Sequence, residues 1–342
     1  MGSANGLDAG VIRFVVYALV SVLVSGAVSG CRGSRPGGEL KRHGDEIMAC
    51  GRLFHTGTPV VLWTDPGGYD AYRVERRFVA WTNANWEATR AEGASLDTPN
   101  RYGLRREGLS PETLEKVRGG GWDLATLRGV VDQFVLHYDA SGTSRRCFEV
   151  LHDRRGLSVH FMLDVDGTIY QTLDLKERAW HATTSNTRSI GIEIAQPGAV
   201  PLSQSNRLSA WYGVDERGVR LDPGRVGVDS GVRTTGFVGR PARPGLVSGN
   251  IQGLELVQYD FTPEQYEALA RLTAALCRVF PGIRCEAPRD ESGSVLNVKL
   301  PDDQLRAYAG VLGHYHIQTD KVDPGPAFDW DRYLREARRW LR

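Results

Sequence analysis

The sequence predicts an α/β fold, and three observations carry that prediction. Short apolar runs recur at 131–138, 158–165 and 189–195, each with the length and composition of a buried strand. Asp166-Gly167 separates the second run from another at 168–173, and Asp-Gly between two such runs is a strong hairpin signal. Two amphipathic helices close the chain. Thr262-Pro263-Glu264-Gln265 is a capping box with proline in the first turn, followed by a stripe of Leu269, Leu272, Leu276 and Val279 and stopped at Pro281-Gly282. Asp329 caps the last helix, with Trp330, Leu334, Ala337 and Leu341 turned inward.

The 342 residues allow one elaborated domain or two small ones, and 41% hydrophobic residues suffice for a sizeable core. A net charge of +1 gives no electrostatic reason to expect a nucleic-acid partner. No internal repeat or dinucleotide-type glycine fingerprint is present.

Taken in order, residues 1–30 read as an export signal. Their apolar run at 14–28 follows Arg13 and is shorter than the roughly 20 residues a spanning helix needs. Val28-Ser29-Gly30-Cys31 resembles the bacterial lipobox, which implies cleavage before Cys31 and its lipidation. Arg32, rather than Asp, follows that cysteine, so the expected address is the periplasmic side of the outer membrane. Residues 31–40 read as a tether and 41–126 as an N-terminal extension of unknown role. Within that extension, 60–63 reads as a buried strand and 78–81 as another. Ser110-Pro111 starts a helix that Gly119-Gly120-Gly121 ends, and His55 reads as isolated and structural.

The main domain is expected over 127–342. Val135 and His137 share one face of the first strand, which places His137 at a strand end where it can reach a cleft. A short helix is expected at 147–152. In the strand at 189–195, Ile190, Ile192 and Ile194 face one way, and Gly191 and Glu193 the other. A carboxylate so placed needs a counter-charge, a metal or solvent in a cleft. Residues 196–253, rich in Gly, Pro, Ser and Arg, are too long for an ordinary connection and read as an insertion able to lie along the cleft. With Cys31 on lipid, Cys50, Cys147, Cys277 and Cys285 remain. They allow a Cys277–Cys285 bridge across Pro281-Gly282 and a Cys50–Cys147 bridge, or four free buried thiols.

The segment 313–326 packs His314, His316, Asp320, Lys321 and Asp323 ahead of Pro324-Gly325-Pro326, a composition that forbids long regular structure. Taken with His137 and Glu193, its His314, Lys321 and Asp323 make two imidazoles, two carboxylates and a lysine. Two imidazoles and a carboxylate form a common set for catalytic zinc, with a fourth position left for water.

Six blocks carry a family resemblance. They are Val135-Leu136-His137, Ser158-Val159-His160-Phe161 with Asp166-Gly167-Thr168-Ile169, Ala179-Trp180-His181-Ala182, Ser189-Ile190-Gly191-Ile192-Glu193, Gly313-His314, and Lys321-Val322-Asp323-Pro324-Gly325-Pro326. In this order they resemble the type 2 N-acetylmuramoyl-L-alanine amidases, the superfamily that includes peptidoglycan recognition proteins. The resemblance implies a mixed central sheet flanked by helices and a zinc ion on His137, His314 and Asp323. It implies a zinc-bound water as nucleophile, Glu193 as its base and Lys321 as oxyanion stabiliser. The implied substrate is peptidoglycan or its muropeptides, cut between N-acetylmuramic acid and L-alanine by a monomer held at the membrane through Cys31.

Val159 stands where some members carry a tyrosine beside the metal. Trp180 and His181 are candidates for substrate contact at the cleft rim, with a structural role the equal alternative. His160 reads as a buried supporting histidine, Asp320 as solvated, and His316 as the rival of His314 or a solvent-facing side chain. The competing reading is a non-catalytic peptidoglycan-binding module, against which the complete ligand and acid–base set argues. A zinc peptidase lacks its His-Glu-x-x-His motif here.

Overall fold

The computed structural model describes residues 36–227 and 229–342. The export signal at 1–30 and the lipidation site at Cys31 lie outside the described residues. Residues 36–41 belong to a separate unit, Met1–Lys41, and hold no helix or strand; the body is Arg42–Arg342. No described helix is long and apolar enough to cross a membrane.

The body opens with a hairpin of β1 (Glu46–Ala49) and β2 (Arg52–His55), then β3 (Val60–Leu62). Helix α1 (Trp86–Ala91) follows, then β4 (Tyr102–Leu104), α2 (Pro111–Arg118) and α3 (Leu124–Arg128). Ser110 caps α2 by accepting from the Thr113 N–H, as its position before proline predicts. Phe78 to Trp81, expected as a strand, is irregular up to Ala80, and Trp81 opens a 3-10 helix, Trp81–Asn83. Phe78 is held instead by aromatic edges, against Tyr69 at 6.1 Å and Phe148 at 6.3 Å between ring centres.

The central elements are β5 (Gln133–Tyr138), α4 (Ser144–Phe148) running into a π-helical turn at Glu149–Arg154, β6 (Phe161–Leu163), β7 (Ile169–Gln171), β8 (Glu177–Ala179) and β9 (Ser189–Ile194). The insertion supplies β10 (Val200–Pro201), the hairpin β11 (Tyr212–Asp215) and β12 (Gly218–Leu221), and β13 (Leu246–Ile251). Then come β14 (Leu254–Tyr259), α5 (Pro263–Val279), α6 (Asp302–Ala307), β15 (Gly310–Gly313) and α7 (Trp330–Leu341).

Six strands form one mixed sheet in the order β15-β5-β9-β6-β7-β3. β15, β5, β9 and β6 run parallel, β7 returns antiparallel from β6 through the Asp166-Gly167 turn, and β3 pairs parallel with β7. The segment before residue 127 therefore contributes a sheet strand and core side chains, including Ile47, Ala49 and Leu62.

Side-chain alternation sorts the two faces. Phe134, Leu136, Phe161, Leu163 and the three isoleucines of β9 pack on one side with Leu269, Leu272 and Leu276 of α5 and Tyr333 and Leu334 of α7. Met162 and Tyr170 pack on the other with Cys147 and Phe148 of α4. The capping box of α5 forms as expected, Thr262 accepting from Gln265 N–H and the Gln265 side chain answering, a feature worth about 1 kcal/mol.

All four described cysteines are unbonded. Cys147 lies in the apolar cluster of α4 and Cys50 against the opposite cluster, so the Cys50–Cys147 bridge does not form. Cys277 and Cys285 are in side-chain contact as free thiols.

Candidate active site

The parallel pairing of β5 with β9 sets His137 directly across from Glu193. β15 lies on the other side of β5, with Gly313 opposite Leu136, so the chain leaves the sheet beside His137 and turns into a 3-10 helix, His314–His316. The loop then doubles back, and Tyr315 N–H donates to Asp323 O at 3.3 Å. Gly313 has to be glycine: a Cβ there would lie 2.8 Å from Pro324 and 3.0 Å from the Tyr315 ring.

His137 Nδ1 and His314 Nδ1 are 3.0 Å apart, and each faces Asp323 Oδ2, at 2.9 and 3.0 Å. Three ligand atoms thus form a triangle with edges near 3 Å. Donors held at about 2.0–2.1 Å from one cation need nearly this spacing. All three residues are buried. Burial, and then His314, push the His137 imidazole down to about 4, so it is neutral at pH 7. Burial would raise the Asp323 carboxyl, but His314 and His137 beside it hold it well below the usual carboxylate range. A neutral imidazole and an ionised carboxylate aimed at one point suit a divalent cation.

The outer atoms of the ligands are also held. His137 Nε2 meets His181 Nδ1 at 3.0 Å, His181 Nε2 meets Ser189 Oγ at 3.2 Å, and His314 Nε2 meets Gln318 Oε1 at 2.8 Å. Burial, followed by Asp323 and Asp139, raises the Glu193 carboxyl well above its usual value. A cleft of about 440 Å³ is lined by His137, Glu193, His314, Lys321 and Asp323, with Trp180 and His181 at its wall.

Every site residue expected from the sequence in the described region lines this one cleft. His316 does not face solvent: it is buried, accepting Gly313 N–H on Nδ1 at 2.9 Å and donating from Nε2 to Leu296 O at 2.7 Å. The ligand triangle therefore contains His314, not His316. His160 is likewise a buried support. Its Nδ1 accepts Gly191 N–H at 3.1 Å and its Nε2 donates to Glu177 O at 2.9 Å. Asp320 is exposed, as expected.

The sequence reading missed Asp139, which also lines the cleft, two residues beyond His137. Its Oδ1 gathers the N–H groups of Ser141, Gly142 and Gln196, while Oδ2 has no partner, and burial raises the carboxyl to about 7. The i, i+2 spacing from His137 was the available signal. Gln318 was also missed, although its i+4 spacing from His314 marked it. No described residue of 196–253 lines the cleft; the insertion folds on its own small sheet of β10, β14 and β13 and the β11–β12 hairpin.

Neutral imidazole, ionised carboxylate and a proton-accepting acid around one cleft define a hydrolase-type centre. The chain belongs to the N-acetylmuramoyl-L-alanine amidase family, whose profile matches residues 127–326. The 1,6-anhydro-N-acetylmuramyl-L-alanine amidase AmpD of Salmonella typhimurium is 24% identical over 216 residues, spanning 63% of this chain and 70% of that one. Among solved structures, a selenomethionine derivative of AmpD is 19% identical with a TM-score of 0.31, covering 72% of this chain and 94% of its own. A complex of the amidase AmiD from E. coli with anhydro-N-acetylmuramic acid-L-Ala-D-γ-Glu-L-Lys is 19% identical with a TM-score of 0.33, covering 60% and 57%.

Proposed function

We propose that the chain is a zinc-dependent N-acetylmuramoyl-L-alanine amidase that hydrolyses the amide between the lactyl group of N-acetylmuramic acid and L-alanine, in peptidoglycan or muropeptides. The observation that carries this reading is the triangle of His137 Nδ1, His314 Nδ1 and Asp323 Oδ2 beside Glu193 on the next strand. The name of the Salmonella relative, an amidase of an anhydro-muramyl-alanine compound, supports the substrate class.

His137, His314 and Asp323 would hold the ion. Zinc, when bound, lowers the pKa of a coordinated water to about 7 and polarises an amide carbonyl. Glu193 takes a proton during attack and returns it to the leaving amine of L-alanine, and burial raises its affinity for that proton. Lys321, which lines the same cleft, offers its ammonium to the negative charge that develops on the carbonyl oxygen. Trp180 supplies an apolar surface at the cleft wall for the sugar or stem peptide, while His181 supports His137 rather than reaching out to substrate. The leader at 1–30 and Cys31 support export and a lipid anchor on the periplasmic side of the outer membrane, which acyl-chain labelling of wild type against Cys31→Ser tests.

The test is incubation with a muropeptide carrying an intact stem, followed by mass spectrometry. The reading expects free stem peptide beginning at L-alanine, its loss with a chelator and its return with zinc. Sedimentation with sacculi while every muramyl–peptide bond stays intact would instead establish a binding module.

A further inference from the structure

A second cluster of metal-type donors lies outside the cleft, on the first hairpin. His55, read from the sequence as isolated, ends β2, and the β1–β2 register sets it opposite Glu46. His55 Nδ1 lies 2.8 Å from Asp45 Oδ1, and the His43 ring stands edge-on to His55 with 5.0 Å between centres. One ligand atom from each of His43, Asp45 and His55 lies within 4.8 Å of the others.

The backbone that presents these donors is fixed from below. The Glu46 carboxylate accepts the N–H groups of His43, Gly44 and Asp45 at 2.6, 2.9 and 3.2 Å, so the chain winds around it and turns the 43 and 45 side chains outward. Arg42 locks that carboxylate to Asp65. Asp45 O accepts from Thr56 N and Thr56 Oγ1 at 2.8 and 2.7 Å, and Gly44 O accepts from Val60 N at 2.7 Å. The Asp45 carboxylate is aimed by Gly57 N–H on Oδ2 at 3.0 Å, which leaves Oδ1 toward the histidines. His43 and His55 are exposed, so water can complete a coordination shell.

We propose that His43, Asp45 and His55 form a second binding site for a divalent transition metal, zinc in particular, that ties the 43–45 loop to the end of β2. Two imidazoles select zinc, copper or nickel over calcium and magnesium, which prefer oxygen donors. The site does not depend on the cleft ligands, which lie on β5 and in the segment 314–323. It makes the hairpin's order responsive to metal, because the ion bridges the 43–45 loop to the end of β2.

The test is zinc titration of the metal-stripped full chain against a chromophoric chelator, with wild type, His55→Ala and His43→Ala compared. Both side chains are exposed, so the variants fold. The proposal expects each variant to lose one zinc equivalent relative to wild type, with muropeptide cleavage unchanged. Zinc added beyond the first equivalent should also raise the thermal midpoint of wild type but not of His55→Ala. Retention of every wild-type equivalent in His55→Ala overturns the proposal. Wild type binding one equivalent and His55→Ala none would support this site while contradicting the cleft assignment, so the two readings fail separately.

Discussion

His137 Nε2 and His181 Nδ1 lie 3.0 Å apart with their rings nearly perpendicular, at 88°. This contact fixes which nitrogen of His137 serves the cleft. If Nδ1 keeps its lone pair toward His314 and Asp323, the hydrogen sits on Nε2 and is donated to His181, which passes its own hydrogen to Ser189 Oγ. Burial keeps His181 well below the usual imidazole range, hence neutral and able to accept. His181→Ala should therefore lower zinc affinity about 10–100-fold while the protein stays folded, measured by chelator competition alongside circular dichroism.

Gly191 is the floor beneath His181. A Cβ there would lie 2.5 Å from two His181 ring atoms, in space the imidazole already fills. Gly191→Ala should reproduce the zinc loss of His181→Ala and add about 1–3 kcal/mol of destabilisation, read from urea unfolding. A stability loss with normal zinc affinity would contradict the coupling.

Glu193→Gln should retain zinc and lose turnover by about 10²–10⁴-fold. The sign of the pH effect follows from its environment. A general base works deprotonated, and burial raises the Glu193 carboxyl. Wild-type kcat/KM should fall as pH drops through that raised value, at a higher pH than an exposed glutamate would give. The limb should disappear from the residual activity of the Gln variant.

Arg105 is fully enclosed and donates to Leu175 O, Asn186 O, Thr187 O and Ser189 O at 2.6–3.2 Å. Burial pulls its guanidinium down only to about 9, so it stays charged at neutral pH. Arg105→Leu strands four carbonyls, one ahead of β8, two in the loop that leads into β9 and one at the first residue of β9. The expected loss is at least about 3 kcal/mol, measured as a shift in the urea midpoint.

Asp164 is buried with no partner on Oδ2, and burial raises its carboxyl from 3.8 to about 8. The folded chain thus keeps a proton that the unfolded chain releases. That contribution is complete at low pH and is lost as pH rises through the folded value. Asp164→Asn should flatten the decline, gaining up to about 4 kcal/mol on wild type between about pH 5 and pH 8. Parallel stability–pH curves would contradict it.

Local chemistry made much of the fold readable. The alternation of Ile190, Ile192 and Ile194 against Gly191 and Glu193 gave the facing of β9, and Thr262 with Gln265 gave the start of α5. Long-range pairing was not readable. Nothing in Val60-Val61-Leu62 announces Ile169-Tyr170-Gln171 as its neighbour, so the extension's place in the sheet emerged only in three dimensions. Phe78 misled because an apolar residue in a loop satisfies the same burial as one in a strand.

The site was legible where family blocks coincided with chemistry, at His137, Glu193, His314 and Asp323. It was not legible where a side chain's role depends on its neighbours. His316 differs from His314 only in that its ring turns back onto Gly313 N–H and Leu296 O. His55 looked isolated because its partners, His43 and Asp45, reach it only through hairpin pairing.

The most direct test compares His314→Ala with wild type for bound zinc in the cleft and for stem peptide released from a muropeptide. The account predicts that the variant loses one zinc equivalent and all detectable cleavage at the lactyl–L-alanine bond. Undiminished release of stem peptide by His314→Ala would contradict it.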